Sequence, residues 1–199
     1  MAILSSLGSR LSQRASGSVL RGTVWTLALL LAGAIGPERM AGEAPREYQI
    51  KAVLLFNLAQ FVEWPPAAFE SPDTPLVIGV IGRDPFGTAL DDAVRGEKIA
   101  KRPILVNRCR SLEEAARCQI LFFSSSESAV WEGILSRLKN RPILTVADRE
   151  GFIKQGGIIY LYRNQDDKIR LHVNLEAAKA RNLAISAKLL RVAEVVVGK

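Results

Sequence analysis

The sequence predicts a single compact α/β domain built on a mixed, mostly parallel sheet with helices on both faces, and three observations carry that prediction. The first is the stretch from Gln119 to Asp148, where two short apolar runs flank one amphipathic segment. Two strands joined by a covering helix of this length favour parallel neighbours. The second is a late pair of alternating runs, Ile158 to Tyr162 and Ile169 to Val173, linked by the polar stretch Asn164 to Asp167. That pair reads as a hairpin and makes the sheet mixed. The third is size: 199 residues, nearly half of them apolar, suffice for one domain with a real core but not for two ordinary ones.

The chain opens on a segment that is not part of that domain. Met1 to Leu20 is poor in acids and carries Arg10 and Arg14, and Val24 to Ile35 (VWTLALLLAGAI) is an uncharged apolar run. It has the length of a signal-peptide core and is short for a bilayer span. Residues 1–44 are therefore expected to be a signal peptide and residues 45–199 the exported domain. Gly42 and Ala44 supply small residues for cleavage after Ala44, and cleavage after Ala34 is the alternative.

Glu47 to Glu63 is the first element of the domain and reads as a helix. Ile50, Val53, Leu54, Leu58, Phe61 and Val62 recur at helical spacing and occupy more than half of its circumference, so it should be buried on more than one side. Pro65 and Pro66 stop it just after Trp64. Leu76 to Ile81 is a strand, followed by a Gly, Asp and Pro turn over 82–87 and a helix over 87–94. The glycines at 79, 82 and 87 match neither the dinucleotide fingerprint nor a phosphate loop, so the turn reads as a turn. Ile104 to Val106 is the next strand, and Ser111 with Glu114 has capping-box spacing for a short helix to Ala116.

Ile120 to Phe123 is a continuous apolar run that suits a strand covered on both faces. Ser124, Ser125 and Ser126 then offer hydroxyls to cap a helix whose stripe is Val130, Trp131, Ile134, Leu135 and Leu138. Ile143 to Val146 is the following strand. After the hairpin, Leu175 to Arg181 and Ala187 to Val196 read as two closing helices, the second with Leu189, Leu190, Ala193 and Val196 on one face.

Candidate chemistry is sparse. One histidine, His172, lies inside a strand pattern, and neither a metal site nor a triad can be built on it alone. GxSxG is absent, so the serines cap first and hydrolyse nothing. Their position at the carboxyl end of a strand, with the turn after Ile81, makes Arg83, Asp84, Phe86, Ser124, Ser125 and Ser126 the candidate contacts for a ligand or partner. Cofactors, metals and catalytic residues are not expected. Cys109 and Cys118 are too far apart for a redox CxxC. In an exported chain they either bridge a short loop or remain one buried thiol and one free or intermolecular. The 45–199 segment has 23 Lys and Arg against 18 Asp and Glu, a surplus of +5. Without a basic recognition helix or stacking platforms, nucleic acid is not an expected partner.

Taken together, KAVLLFNLAQFVEWP (51–65), VIGVIGRDPFG (77–87), CQILFFSSSE (118–127), PILTVADREGFIKQGGIIYLY (142–162) and VNLEAAKARNLAISAKLLRVAEVV (173–196) resemble the YfiR family of exported bacterial proteins. The resemblance implies a compact mixed α/β fold, a periplasmic location and a non-enzymatic role. For the member of known role, that means repressing an inner-membrane diguanylate cyclase through its periplasmic part, with an outer-membrane lipoprotein as relieving partner and biofilm formation as the downstream trait. A homodimer is a further open expectation. The motif residues carried over are Phe56, Asn57, Phe61, Trp64 and Pro65, then Cys118, Asp148 and Phe152, then Asn174, Ala177, Leu189 and Leu190. They read as structural rather than ligand-contacting. The family's known repressor has more cysteines, so redox stabilisation by more than one bridge does not transfer.

Overall fold

The computed structural model describes residues 45–196, and the expected export segment lies outside them. Helix α1 (Arg46–Gln60) leads into strand β1 (Val62–Glu63), then β2 (Leu76–Ile81), α2 (Ala89–Val94), β3 (Lys98–Ile99), β4 (Arg102–Cys109) and α3 (Leu112–Ala115). The second half runs β5 (Ile120–Phe123), α4 (Trp131–Arg137), β6 (Leu144–Ala147), β7 (Ile159–Arg163), β8 (Ile169–Asn174), α5 (Leu175–Lys179), β9 (Ala184–Ile185), α6 (Ala187–Leu190) and β10 (Glu194–Val196).

The main sheet has the order β10-β8-β7-β6-β5-β2-β4-β3, and β1 pairs with β9 in a separate two-stranded ribbon. From β10/β8 and from β7 through β6, β5 and β2 to β4 the pairs are parallel. Within the main sheet of the described residues β7/β8 and β3/β4 are the antiparallel pairs, and the β1/β9 ribbon is antiparallel as well. The mixed, mostly parallel sheet is thus present, and one of its two antiparallel pairs is the hairpin read from 158–173.

Alternation along the strands splits the core in two. Ile78 and Val80 of β2, Ile120 and Phe122 of β5, and Leu144 and Val146 of β6 face α1 and α2, packing with Leu55, Leu58, Phe86 and Leu90. Leu121 and Phe123 of β5 and Ala147 of β6 face the other way, against Trp131 and Leu135 of α4, Leu138 just past its end, and Ala115 of α3. All four residues of β5 are buried because both faces are covered.

Several elements differ from the sequence reading. Helix α1 ends at Gln60, because Val62 and Glu63 pair with Ile185 and Ala184. Strand β4 extends from Arg102 to Cys109 and takes in Pro103, which pairs only with the short outer strand β3. The serines cap a single 3-10 turn, Ser125–Glu127, with Ser124 Oγ accepting from Ser126 N; α4 itself starts at Trp131. Val130 is consequently 49% exposed rather than part of the buried stripe. The closing helix is one turn only, and Glu194–Val196 is a strand lying parallel to β8. By contrast, Ser111 caps α3 as its spacing predicts, its Oγ accepting from Glu114 N.

Candidate functional site

Strand order reverses at β2, whose neighbours are β4 on one side and β5 on the other, and open α/β sheets place ligands outside the carboxyl ends of such strands. Here that position is filled by the protein itself. Gly82, at φ +90°, lets the turn after β2 pass so close to the turn after β5 that a Cβ there would lie 2.6 Å from Glu127 Cγ, 2.7 Å from Ser126 Oγ and 3.1 Å from Ser124 Cβ. Arg83 N donates to Ser126 Oγ at 2.9 Å and locks the two turns together. Trp131 Nε1 donates to the Ser124 carbonyl, tying the second turn to α4.

The six candidate contacts therefore divide. Arg83 and Ser125 are exposed; Ser124 is buried and Ser126 is used in the turn-to-turn bond. Asp84 Oδ1 accepts from Phe86 N at 2.8 Å, and its Oδ2 accepts from Arg108 Nε at 3.0 Å. Arg108 also donates to both oxygens of Asp91 and to the Gly87 carbonyl, and it holds the Asp91 carboxyl below the usual carboxylate range. Phe86 is fully buried between the rings of Tyr48 and Phe122, at 5.5 and 4.8 Å, so it supports the turn from below and offers a partner nothing. A groove of about 510 Å³ opens nearby, but it is lined by Ile81, Gly82, Cys109, Leu112, Val130 and Ile134, not by those six side chains.

Helix α1 carries the less expected chemistry. Lys51 is buried and donates to Asp148 Oδ2 at 2.7 Å, both side chains being 5% exposed or less. Glu47 pairs with the same ammonium and with Arg163 at 2.7 Å, and the Lys51 hydrogen bond is the main reason its carboxyl titrates low. Burial, with Asp148 beside it, pushes the Tyr48 phenol up, so it stays neutral. The network fastens the inner side of α1 to the ends of β6 and β7. The outer side is different: Ile50 is 45% and Val53 49% exposed, with Leu54 and Asn57 half-buried beside them. The expected burial of α1 on more than one side is not met within the domain.

The other motif residues sit as follows. Phe56 and Phe61 are half-buried against the core, and the Phe61 carbonyl accepts from Ser186 N. Asn57 is half-exposed. Trp64 Nε1 donates to the Gln119 carbonyl, and the Pro65 carbonyl starts the following turn by accepting from Ala68 N. Phe152 packs at 5.2 Å from both Phe123 and Trp131. Asn174 Oδ1 caps α5 by accepting from Ala177 N. Sequence reasoning missed Gln119, whose buried amide accepts from Val77 N and donates to the Ala68 carbonyl. Its only local signal was a polar residue opening an apolar run. His172 is half-buried, its Nε2 lying 2.7 Å from Glu194 Oε2 and its ring against Tyr160 and Tyr162. Cys109 and Cys118 are both buried thiols with sulfurs 3.7 Å apart. Gly79 makes their room, since a Cβ on it would lie 2.5 Å from one sulfur and 3.1 Å from the other.

Among the described residues no group of His, Cys, Asp and Glu could hold a metal ion, and no helix is long and apolar enough to cross a membrane. The profile of the family described as DUF4154, YfiR/HmsC-like, matches residues 48–194. The chain belongs to that family. A YfiR/HmsC-like protein is a non-catalytic regulator, and membership supports a periplasmic role linked to diguanylate-cyclase signalling. No curated protein matches the chain.

Proposed function

We propose that this protein binds the periplasmic part of an inner-membrane diguanylate cyclase and represses it, limiting cyclic-di-GMP synthesis and biofilm formation, with an outer-membrane lipoprotein as a second partner that relieves repression. One observation supports this reading above the others: α1 is apolar over more than half of its circumference, the domain covers only one of its sides, and Ile50 and Val53 are left about half in solvent. A helix with two apolar faces is stable in water when each has a cover, and a protein partner supplies the second one. The rival reading, a small-ligand module at the carboxyl ends of the strands, is disfavoured by the turns that interlock at Gly82 and Ser126.

The test is cellular. Ile50→Glu with Val53→Glu places two carboxylates on the exposed stripe without touching the core. Deletion of the gene should raise cyclic-di-GMP, complementation with the natural chain should lower it, and the double variant should fail to lower it while accumulating normally. Full repression by the double variant removes α1 as the contact. An unchanged level after deletion, in a strain that carries an intact membrane diguanylate cyclase, removes the cyclase as the target.

In an oxidising periplasm, Cys109 and Cys118 are expected to bridge. Closing so short a loop would contribute about 2–3 kcal/mol by chain entropy. Intact mass after alkylation without reductant should show neither thiol modified in protein isolated from the cell envelope. Two alkylated thiols would rule the bridge out.

A further inference from the structure

Several arginines of this domain are spoken for. Arg95 pairs with Asp92, Arg108 with Asp84 and Asp91, and Arg163 with Glu47 and Asp167. Arg102 and Arg181 donate to backbone carbonyls, and Arg149 donates to Ser128. Arg110, Arg117, Arg137 and Arg141 differ: all four are exposed, and among the described residues no side-chain hydrogen bond or ion pair holds their guanidinium groups, Arg137 acting only at a distance on exposed Glu113. They converge on one feature. A furrow of about 500 Å³ between α3 and the end of α4 is lined by Arg117, Arg137 and Arg141 over a floor of Leu112, Ala116 and Leu138. Arg137 and Leu112 also line the neighbouring 510 Å³ groove, which Arg110 flanks and Val130 floors. Arg117 and Arg141 also line a third hollow of about 380 Å³ that reaches Phe69 and Ile143. The furrow shares Leu112 and Arg137 with the first of these neighbours and Glu70, Ala116, Arg117 and Arg141 with the second.

Three adjoining hollows with shared walls, apolar lining residues and arginines beside them define the chemistry of an occupant. Guanidinium groups left without intramolecular partners accept carboxylates in paired hydrogen bonds, and their fixed geometry favours carboxylate over a diffuse negative surface. The spread of the four over separate segments suits several carboxylates in a row better than one small anion. The apolar floor, with Val130 49% exposed, suits the side chains between them. Glu70, Glu113 and Glu127 stand among the arginines and fix where the occupant's charges can lie. We infer that the furrow between α3 and α4 is a docking groove for an extended acidic, apolar-interrupted segment of a protein partner. The inference does not depend on that partner being a cyclase, and the groove is distinct from the outer stripe of α1.

The test uses the purified protein and a fluorescein-labelled peptide of alternating glutamate and leucine, with its lysine counterpart and phosphatidylglycerol-containing vesicles as comparisons, all read by anisotropy or co-sedimentation. The glutamate peptide should bind, with affinity falling as salt rises. Arg137→Glu with Arg141→Glu should weaken it at least about tenfold, the scale of losing charged hydrogen bonds. Arg170→Glu with Arg191→Glu, a pair of equal charge change at exposed positions that line none of the three hollows, should leave it unchanged, and thermal melting should show both variants folded. Equal loss in both pairs would reduce the effect to net charge and overturn the groove. So would binding of the lysine peptide, or binding to vesicles alone, which would assign the arginines to a membrane surface.

Discussion

Lys51→Met should destabilise the domain by about 3–5 kcal/mol, the usual cost of removing one partner from a buried ion pair. The expectation follows from what the ammonium does. It is 3% exposed, and it is shared between Asp148, itself 5% exposed, and Glu47. Taking it away leaves the Asp148 carboxylate in the interior facing the Tyr48 phenol, with its cation gone. Asp148→Asn should cost less, because Lys51 then keeps Glu47, which is 30% exposed and retains Arg163 as well. The joint variant Lys51→Met with Asp148→Leu should recover most of the loss, since a buried pair replaced by apolar groups of similar size is often neutral. Urea midpoints for the three variants read the ranking directly. A Lys51→Met midpoint equal to that of the natural chain would mean that the pair is solvated and that α1 is held by packing alone.

That pair also shows where sequence reading stops. Lys51 and Asp148 are 97 residues apart, and in the sequence Lys51 is only a polar interruption in an apolar helix. The strands β2, β5, β6, β7 and β8 were legible because each has its own apolar run or alternation, and α3 because its cap is local. Strand β10 was not: its valines continue the helical spacing begun at Leu189, and pairing with β8 decides the matter over a distance the spacing does not encode. Strand β3 gave no signal because the turn to β4 uses Ala100 and Lys101 at φ 49° and 70°, a conformation normally advertised by Asn or Gly. At the candidate site the serine and Arg83 turns were read as lying at the carboxyl ends of their strands. That they close on each other rather than on a ligand depends on Gly82 and Ser126 meeting in space. Charge behaved likewise: a surplus scattered along the chain gathers four arginines around α3 once folded.

Phe152→Ala and Gly157→Ala should each be severely destabilising alone and far less than additive together. Phe152 is fully buried between Phe123 and Trp131, so truncating it removes a large apolar side chain and leaves a cavity, a change that typically costs about 3–5 kcal/mol. Gly157 is needed for a different reason. A Cβ there would lie 2.3 Å from two carbons of the Phe152 ring, and that ring cannot retreat because both of its neighbours are themselves buried. In the Phe152→Ala background the obstruction is gone, and the added methyl enters space the ring has vacated. The second substitution should then be close to neutral or mildly stabilising, giving a coupling energy of about 1–3 kcal/mol in a double-mutant cycle. Denaturant unfolding of the four proteins measures it. Additive losses would show that the Gly151 to Gly157 turn moves freely relative to α4, and with it the ring contact that joins the turn to the second core. Coupling would show that the turn after β6 is rigid, and that the segment leading into the β7/β8 hairpin is positioned by one aromatic side chain.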